Sequence, residues 1–507
     1  MKLPNYLLAL TATMALPSLA EDWPMWGRTP DRNMVGNASN LPTEINPGEI
    51  GDDEQVDLSS AKNILWATKL GSQTYGNTVV ADGRVYVGTN NEVPRNPKQT
   101  GDRGVLMVFD EKTGDFLWQL IIPKLGAGKV SDWEYVGLCS SPVVQGDKAY
   151  IVTNRGEVVC LDTAGMSNGN AGPFKDEAKY STADPAQPYE VGPESADIIW
   201  IYDMREELGV FPHNVSSCSP VIVDGILYTA TSNGVDWSHT NIPAPLAPAL
   251  VALDVEKGTL VGEEISGVSE RVLHASWSSP AYGKLGGKDR IVWGGGDGFA
   301  YAFEPKPTFD EDEELDVLKE VWSFDVNPVD YRFKGGDPKG EPIKYATFRG
   351  PSEIIGTTVV YDDHVYAVSG QDPEHGDGIG ILTCFDASGK PVWTFKDIGR
   401  SISTASIHDG LIYQAEYDGD LHCIDIKTGK QLWVHETQSR IWGSTLVADG
   451  KVFLPTEDGE VHVLATGREK KELGLFSFDA PIYSSPIVAN DVLYIATMTH
   501  LYAIKSK

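Results

Sequence analysis

After its first twenty residues the chain has no long apolar run, it carries few basic side chains, and its five cysteines include no adjacent pair. The missing run excludes a membrane-spanning helix, which needs roughly 20 apolar residues in succession. The shortage of positive charge is as restrictive: 41 Lys and Arg stand against 72 Asp and Glu, for a net charge of −31. Such a chain repels nucleic acid and anionic membrane surfaces. It suits cationic partners, bound metal ions or a salty medium, or simply a solvated acidic surface. The cysteines do not read as a disulfide framework. Cys160, Cys384 and Cys423 each stand two residues before an Asp, and Cys139 and Cys218 each lie just ahead of a Ser-Pro strand start. Recurrence in one phase marks small core side chains, with a single disulfide left open.

The first twenty residues read as an export signal: Lys2, an apolar stretch from Leu7 to Leu16, then Ser18-Leu19-Ala20 before Glu21. No Cys follows Ala20, so a lipid-anchored mature end is not expected. The expected mature protein is periplasmic or secreted, monomeric, and neither inserted in a membrane nor bound to nucleic acid. Residues 21–63 form an N-terminal arm, whose Trp23 and Trp26 should lie against the body of the fold.

Internal repetition sets the fold class. The segment from Ile398 to Trp433 reads strand, Asp409-Gly410 turn, strand, Asp418-Gly419 turn, strand, Thr428-Gly429 turn, strand. Period-2 apolar alternation broken by Asp-Gly turns gives four antiparallel strands, the blade of a propeller. Equivalent first-strand positions recur at Thr78, Pro142, Pro220, Pro280, Thr358, Ala405, Thr445 and Pro486. The expectation is an all-β, eight-bladed β-propeller over 64–507. The last unit stops after three strands, so Ile64 to Leu70 should complete it and remove the free sheet edge. The insertions Thr163 to Asp197 and Pro305 to Lys319 fall between third and fourth strands, where solvated loops are expected.

Three other insertions, Asn90 to Gly104, Asn233 to Pro248 and Gln371 to Gly380, fall between second and third strands. They share the face on which loops converge over the ring axis and propellers bind ligands. They supply Glu92, Asp236, Trp237, His239, Asp372, Glu374, His375 and Asp377 as candidate ligand-binding side chains. Clustered carboxylates and imidazoles can hold a hard cation or serve as acid and base. The lead-ins to the first strands add His213, His274, Arg349 with Glu353, Arg400 and Arg440. Arg400 and Arg440 share a phase in successive blades and could form an anion site.

The pattern Asp-x-x-Thr/Ser-Gly-x-x-x-Trp closes several units, from Asp110 to Trp118 and Asp425 to Trp433, and from Asp386 to Trp393 with one residue fewer. It resembles the tryptophan-docking repeat of pyrroloquinoline-quinone (PQQ) type propellers, a family holding quinoprotein alcohol dehydrogenases and an outer-membrane assembly scaffold. The resemblance covers nearly all of Ile64 to Lys507. It implies that Asn233 occupies the position of a Ca²⁺ ligand, with Trp237 a following aromatic and Glu92 a further metal ligand. Where the family's enzymes carry a catalytic Asp, this chain offers Glu270 and His274, and their adjacent cysteine pair is missing. The leading reading is a non-catalytic scaffold that binds a small molecule or an envelope protein on this face, with no cofactor assigned. The alternative is a PQQ- and calcium-dependent alcohol or sugar dehydrogenase. A third reading, a glycan-binding module, rests on Trp133, Tyr135, Trp237, Trp277 and Trp442.

Overall fold

The computed structural model describes residues 21–506 apart from 184, 185 and 187; the expected export signal at 1–20 lies outside them. Eight sheets, each built on four antiparallel strands, follow one another around the ring. Each begins one residue after the sequence marker, as at Val79–Ala81, Val143–Gln145 and Ile487–Ala489. Ile64–Lys69 pairs antiparallel with His500–Ile504 and supplies the fourth strand of the eighth blade.

Neighbouring blades are held together by apolar layers and by the docked tryptophans. Trp118 donates its indole N–H to Thr163 O at 3.0 Å, Trp393 to Ile426 O at 2.9 Å, and Trp66 to Glu111 O at 2.9 Å. Each ring covers a turn glycine of the following blade. A Cβ at Gly429, where φ is +65°, would come within 2.5 Å of the Trp393 ring. Only glycine combines that conformation with that approach. Trp66 docks on the first blade from the closing strand, so the two chain ends are fixed by sheet pairing and by wedging together.

The N-terminal arm does more than lie against a blade. It crosses the base of the ring and bonds to the innermost strands in turn. Val80, Val144, Tyr282, Val360 and Val447 donate their N–H groups to Trp23, Pro24, Pro30, Asp31 and Met34 carbonyls at 2.7–3.0 Å. The Asn33 side chain bonds Ile407 in both directions. Arg32, fully buried, donates to Ser219, Pro220, Pro280 and Trp26 carbonyls. The arm thereby satisfies inner-edge donors that a bare ring would leave unpaired.

The acidic insertion 305–319 is not a solvated loop throughout. Thr308–Asp310 and Leu315–Val317 form a hairpin that extends the third blade to six strands, with Glu263 opposite Val317. The outer edge of that blade is covered, which its composition does not reveal. In the 163–197 insertion, Phe174 and Tyr180 pack onto the layer between the first two blades, and Ser195 bridges to Gln119.

Candidate functional site

Four histidines from four separate segments meet at the loop-rich face. His213 precedes the first strand of the third blade and His239 lies in that blade's 233–248 loop. His274 leads into the fourth blade, and His375 belongs to the 371–380 loop of the fifth. Ring centroids are 4.4 Å apart for His213–His274 and His274–His375, 4.5 Å for His239–His375, and 5.1 Å for His213–His239. His213 and His274 are completely buried. His213 Nδ1 lies 2.5 Å from Val235 O, and His375 Nδ1 lies 2.9 Å from Asp372 Oδ1. His213 Nε2 and both nitrogens of His274 have no hydrogen-bond partner. Burial pushes His213 down to about 4 and His274 well below the ordinary histidine value, helped by the neighbouring imidazoles. These rings are neutral at pH 7 and present lone pairs.

Beneath them, Tyr345 donates its hydroxyl proton to Glu353 Oε1 at 2.8 Å and accepts the Asp372 N–H at 2.8 Å. Glu353 is fully buried, and burial holds its carboxyl well above the usual carboxylate range. Tyr345 has no counterpart among the sequence candidates. It sits in the long connection between the fourth and fifth blades, where no periodicity marks it.

Beside this cluster opens the central channel, a cavity of about 420 Å³. Trp133, Trp277, Trp442, Tyr75 and Tyr483 form apolar walls, and Trp26 of the arm reaches it from the base. Trp442 packs at 4.9 Å from Tyr483 and donates to Glu457 at 2.9 Å. Trp277 lies 4.9 Å from His274 and donates to Val215 O at 3.0 Å, so it forms a wall between cluster and channel. Glu134, Asp372 and Glu374 bring the charge, and no Lys or Arg lines the channel among the described residues.

The other candidates take different places. Asn233 is buried and its amide is committed to three structural bonds: Oδ1 accepts the Phe211 N–H at 2.8 Å, while Nδ2 donates to Ala244 O and Ser269 Oγ at 2.9 Å. Glu92 accepts from the Ser72 hydroxyl at the surface. Asp236 braces the same loop as Asn233 through Ser238 and Asn241, and Trp237 is 63% exposed. Glu270, Arg349, Glu374 and Asp377 are exposed. Arg400 donates to Gly376 O at 2.5 Å and stacks on Tyr417, which Arg440 also approaches. Arg400 thus fastens the 371–380 loop. The expected anion site is replaced by a shared aromatic partner. All five cysteines are free, and burial pushes Cys139, Cys160, Cys384 and Cys423 up to about 12. Those thiols are inert packing groups.

These residues do not fit PQQ and Ca²⁺. The walls offer carboxylates where an anionic quinone needs cations, and the amide aligned with a calcium ligand is spent on loop contacts. No redox step follows from this arrangement.

A family model described as outer membrane protein assembly factor BamB matches residues 51–165 and 378–507. All four histidines lie in the stretch between those segments. Among solved structures, BamB from Moraxella catarrhalis is 14% identical with a TM-score of 0.52, covering 88% of this chain and 97% of that one. Quinohemoprotein alcohol dehydrogenase ADHIIG from Pseudomonas putida HK5 is 13% identical with a TM-score of 0.58, covering 96% and 80%. The computationally designed Ika8 protein is 11% identical with a TM-score of 0.50, covering 87% and 100%. No curated protein matches the chain. At these identities the structures speak for the fold alone. Docked tryptophans and eight blades closed by Ile64–Lys69 make this chain an eight-bladed β-propeller whose two ends are similar to the BamB-like family model.

Proposed function

We propose that the protein is an exported binding propeller that takes a polyhydroxylated ring, a glycan unit, into its central channel. The observation that carries this reading is the channel wall: five aromatic faces, hydroxyl and amide groups from Gln73, Asn77, Asn214 and Ser279, and acidic but no basic side chains. Aromatic faces stack on the C–H surface of a sugar, while short polar side chains meet its hydroxyls. Export rests on the 1–20 segment. The test is a glycan array followed by calorimetry on the hits, with Trp133→Ala and Trp442→Ala. Each variant should weaken binding roughly 10-fold, the worth of one stacked aromatic pair. Retained affinity in both folded variants, or an array without a hit, defeats the reading.

A protein partner is the second reading, favoured by Trp237 and Leu246, 63% and 86% exposed on the same 233–248 loop. In that case Trp237→Ala should abolish capture of an envelope protein while leaving any glycan binding intact.

A further inference from the structure

We propose that His213, His239, His274 and His375 bind one divalent transition-metal ion of the zinc, copper or nickel class. This site is separate from the glycan reading and stands without it. The first support is convergence. The ligating atoms of His213, His239 and His274 lie within 4.8 Å of one another, as do those of His274, His375 and Asp372. Four ligands about 2.0–2.1 Å from a tetrahedral zinc stand roughly 3.4 Å apart, so the pairs within each trio close by about 1.4 Å at most. Rotation of the partly buried His239 and His375 supplies that movement.

The second support is the set of buried nitrogens that lack partners. His213 Nε2, His274 Nδ1 and His274 Nε2 are shielded from water without a hydrogen bond. A protein that buries three such atoms side by side leaves an uncompensated cost of the kind normally relieved by a proton donor or a metal. No donor stands within hydrogen-bond reach among the described residues: the neighbours of each ring are other imidazoles, Trp277 and Tyr345, and the buried Glu353 carboxyl lies 3.9 Å from His274 Nδ1. The Tyr345 hydroxyl is already committed to Glu353.

The surroundings match what a ligating histidine requires. Val235 O accepts the Nδ1–H of His213, which leaves Nε2 as the lone-pair nitrogen. The Asp372 carboxylate does the same for His375. Carboxylate and carbonyl partners behind the ring fix the tautomer and raise ligand basicity. A donor set of imidazoles favours zinc, copper or nickel over calcium or magnesium, which seek oxygen. The hard-cation expectation from the sequence is thereby revised: the carboxylate of Asp372 stands behind a histidine, and Glu374 and Asp377 are exposed.

The full chain, stripped with a chelator, is titrated separately with Zn(II), Cu(II), Ni(II) and Co(II) by calorimetry, and the Co(II) form is followed by its visible absorption. One ion per chain should bind with a Kd below about 1 μM for at least one of zinc, copper and nickel, the range of folded multi-histidine sites. His239→Ala and His375→Ala, both on partly exposed loops, should each weaken binding about 100-fold with an unchanged circular dichroism spectrum. His435→Ala should leave binding unchanged. The His435–His462 pair between the sixth and seventh blades, with nitrogens 3.0 Å apart, is the competing location. Failure of all three metals to bind overturns the proposal. So does affinity that survives in the folded His239→Ala/His375→Ala double variant, or that disappears with His435→Ala.

Discussion

Arg32→Met removes the guanidinium that ties the N-terminal arm to the base of the ring while keeping much of its side-chain volume. Its Nε donates to Pro280 O at 2.8 Å and Nη1 to Trp26 O at 2.5 Å. Nη2 reaches Ser219 O at 3.1 Å and Pro220 O at 3.0 Å. Burial lowers the guanidinium to about 10, so the group stays charged at pH 7. Hydrogen bonds from a charged donor contribute about 1.5–3 kcal/mol each, offset by the desolvation of the ion. Removing one partner of such a buried set costs about 4 kcal/mol, because four carbonyls lose their donor. With roughly 2.1 cal/mol/K of unfolding entropy per residue over the whole ring, that lowers Tm by about 4 °C. Hydrogen exchange reads the same loss locally. The Tyr282 and Val360 amides, which donate to Pro30 and Asp31 carbonyls, should exchange up to about 10³-fold faster. Arg32→Lys should fall between, since an ammonium has three donors on one point. Unchanged Tm together with unchanged protection at Tyr282 and Val360 would refute this account of the arm.

Gly429→Ala forces a Cβ into the Trp393 ring at a position with φ of +65°, and should destabilise by about 2 kcal/mol or more; an unaltered thermal transition contradicts the docking argument. Glu264 is buried, and desolvation raises its carboxyl from the usual 4.5 to about 7 although Ala249 and Ser266 N–H groups bond it. The folded state therefore keeps a proton that the unfolded chain releases. Stability from this group is lost as pH rises from 4.5 to 7, by about 3 kcal/mol in all. Denaturation of wild type and Glu264→Gln across that range should show the difference between them shrinking or reversing in favour of Gln, whereas a constant difference would sink the assignment. Cys160 and Cys423 should resist thiol reagents in the folded protein and react only on unfolding; rapid native labelling would contradict their burial.

The ring was legible because its signals are local. Asp-Gly turns, alternating apolar positions and the docked tryptophans each fall within one blade, and every first strand starts beside its marker. The closing strand was readable for the same reason, as a lone Trp66-bearing strand ahead of the first full unit. The candidate site is a different case. His213, His239, His274 and His375 could be assigned to loops on one face, but their contact joins segments up to 162 positions apart in the chain and depends on how three blades are tilted. Neither spacing nor composition encodes that. The side-chain partners of Asn233, Phe211 N–H and Ser269 Oγ, are set by backbone geometry that a motif does not carry. The arm was only half legible: Trp23 and Trp26 announced burial, whereas the edge-by-edge path around the base depends on all eight inner strands.

Anomalous diffraction at the zinc edge from crystals of the zinc-loaded full chain tests most directly whether the working face lies over blades three to five. The account predicts a dominant peak about 2.0–2.1 Å from nitrogens of His213, His239, His274 and His375. A map without density there, with zinc only at surface carboxylates or at His435 and His462, would contradict it.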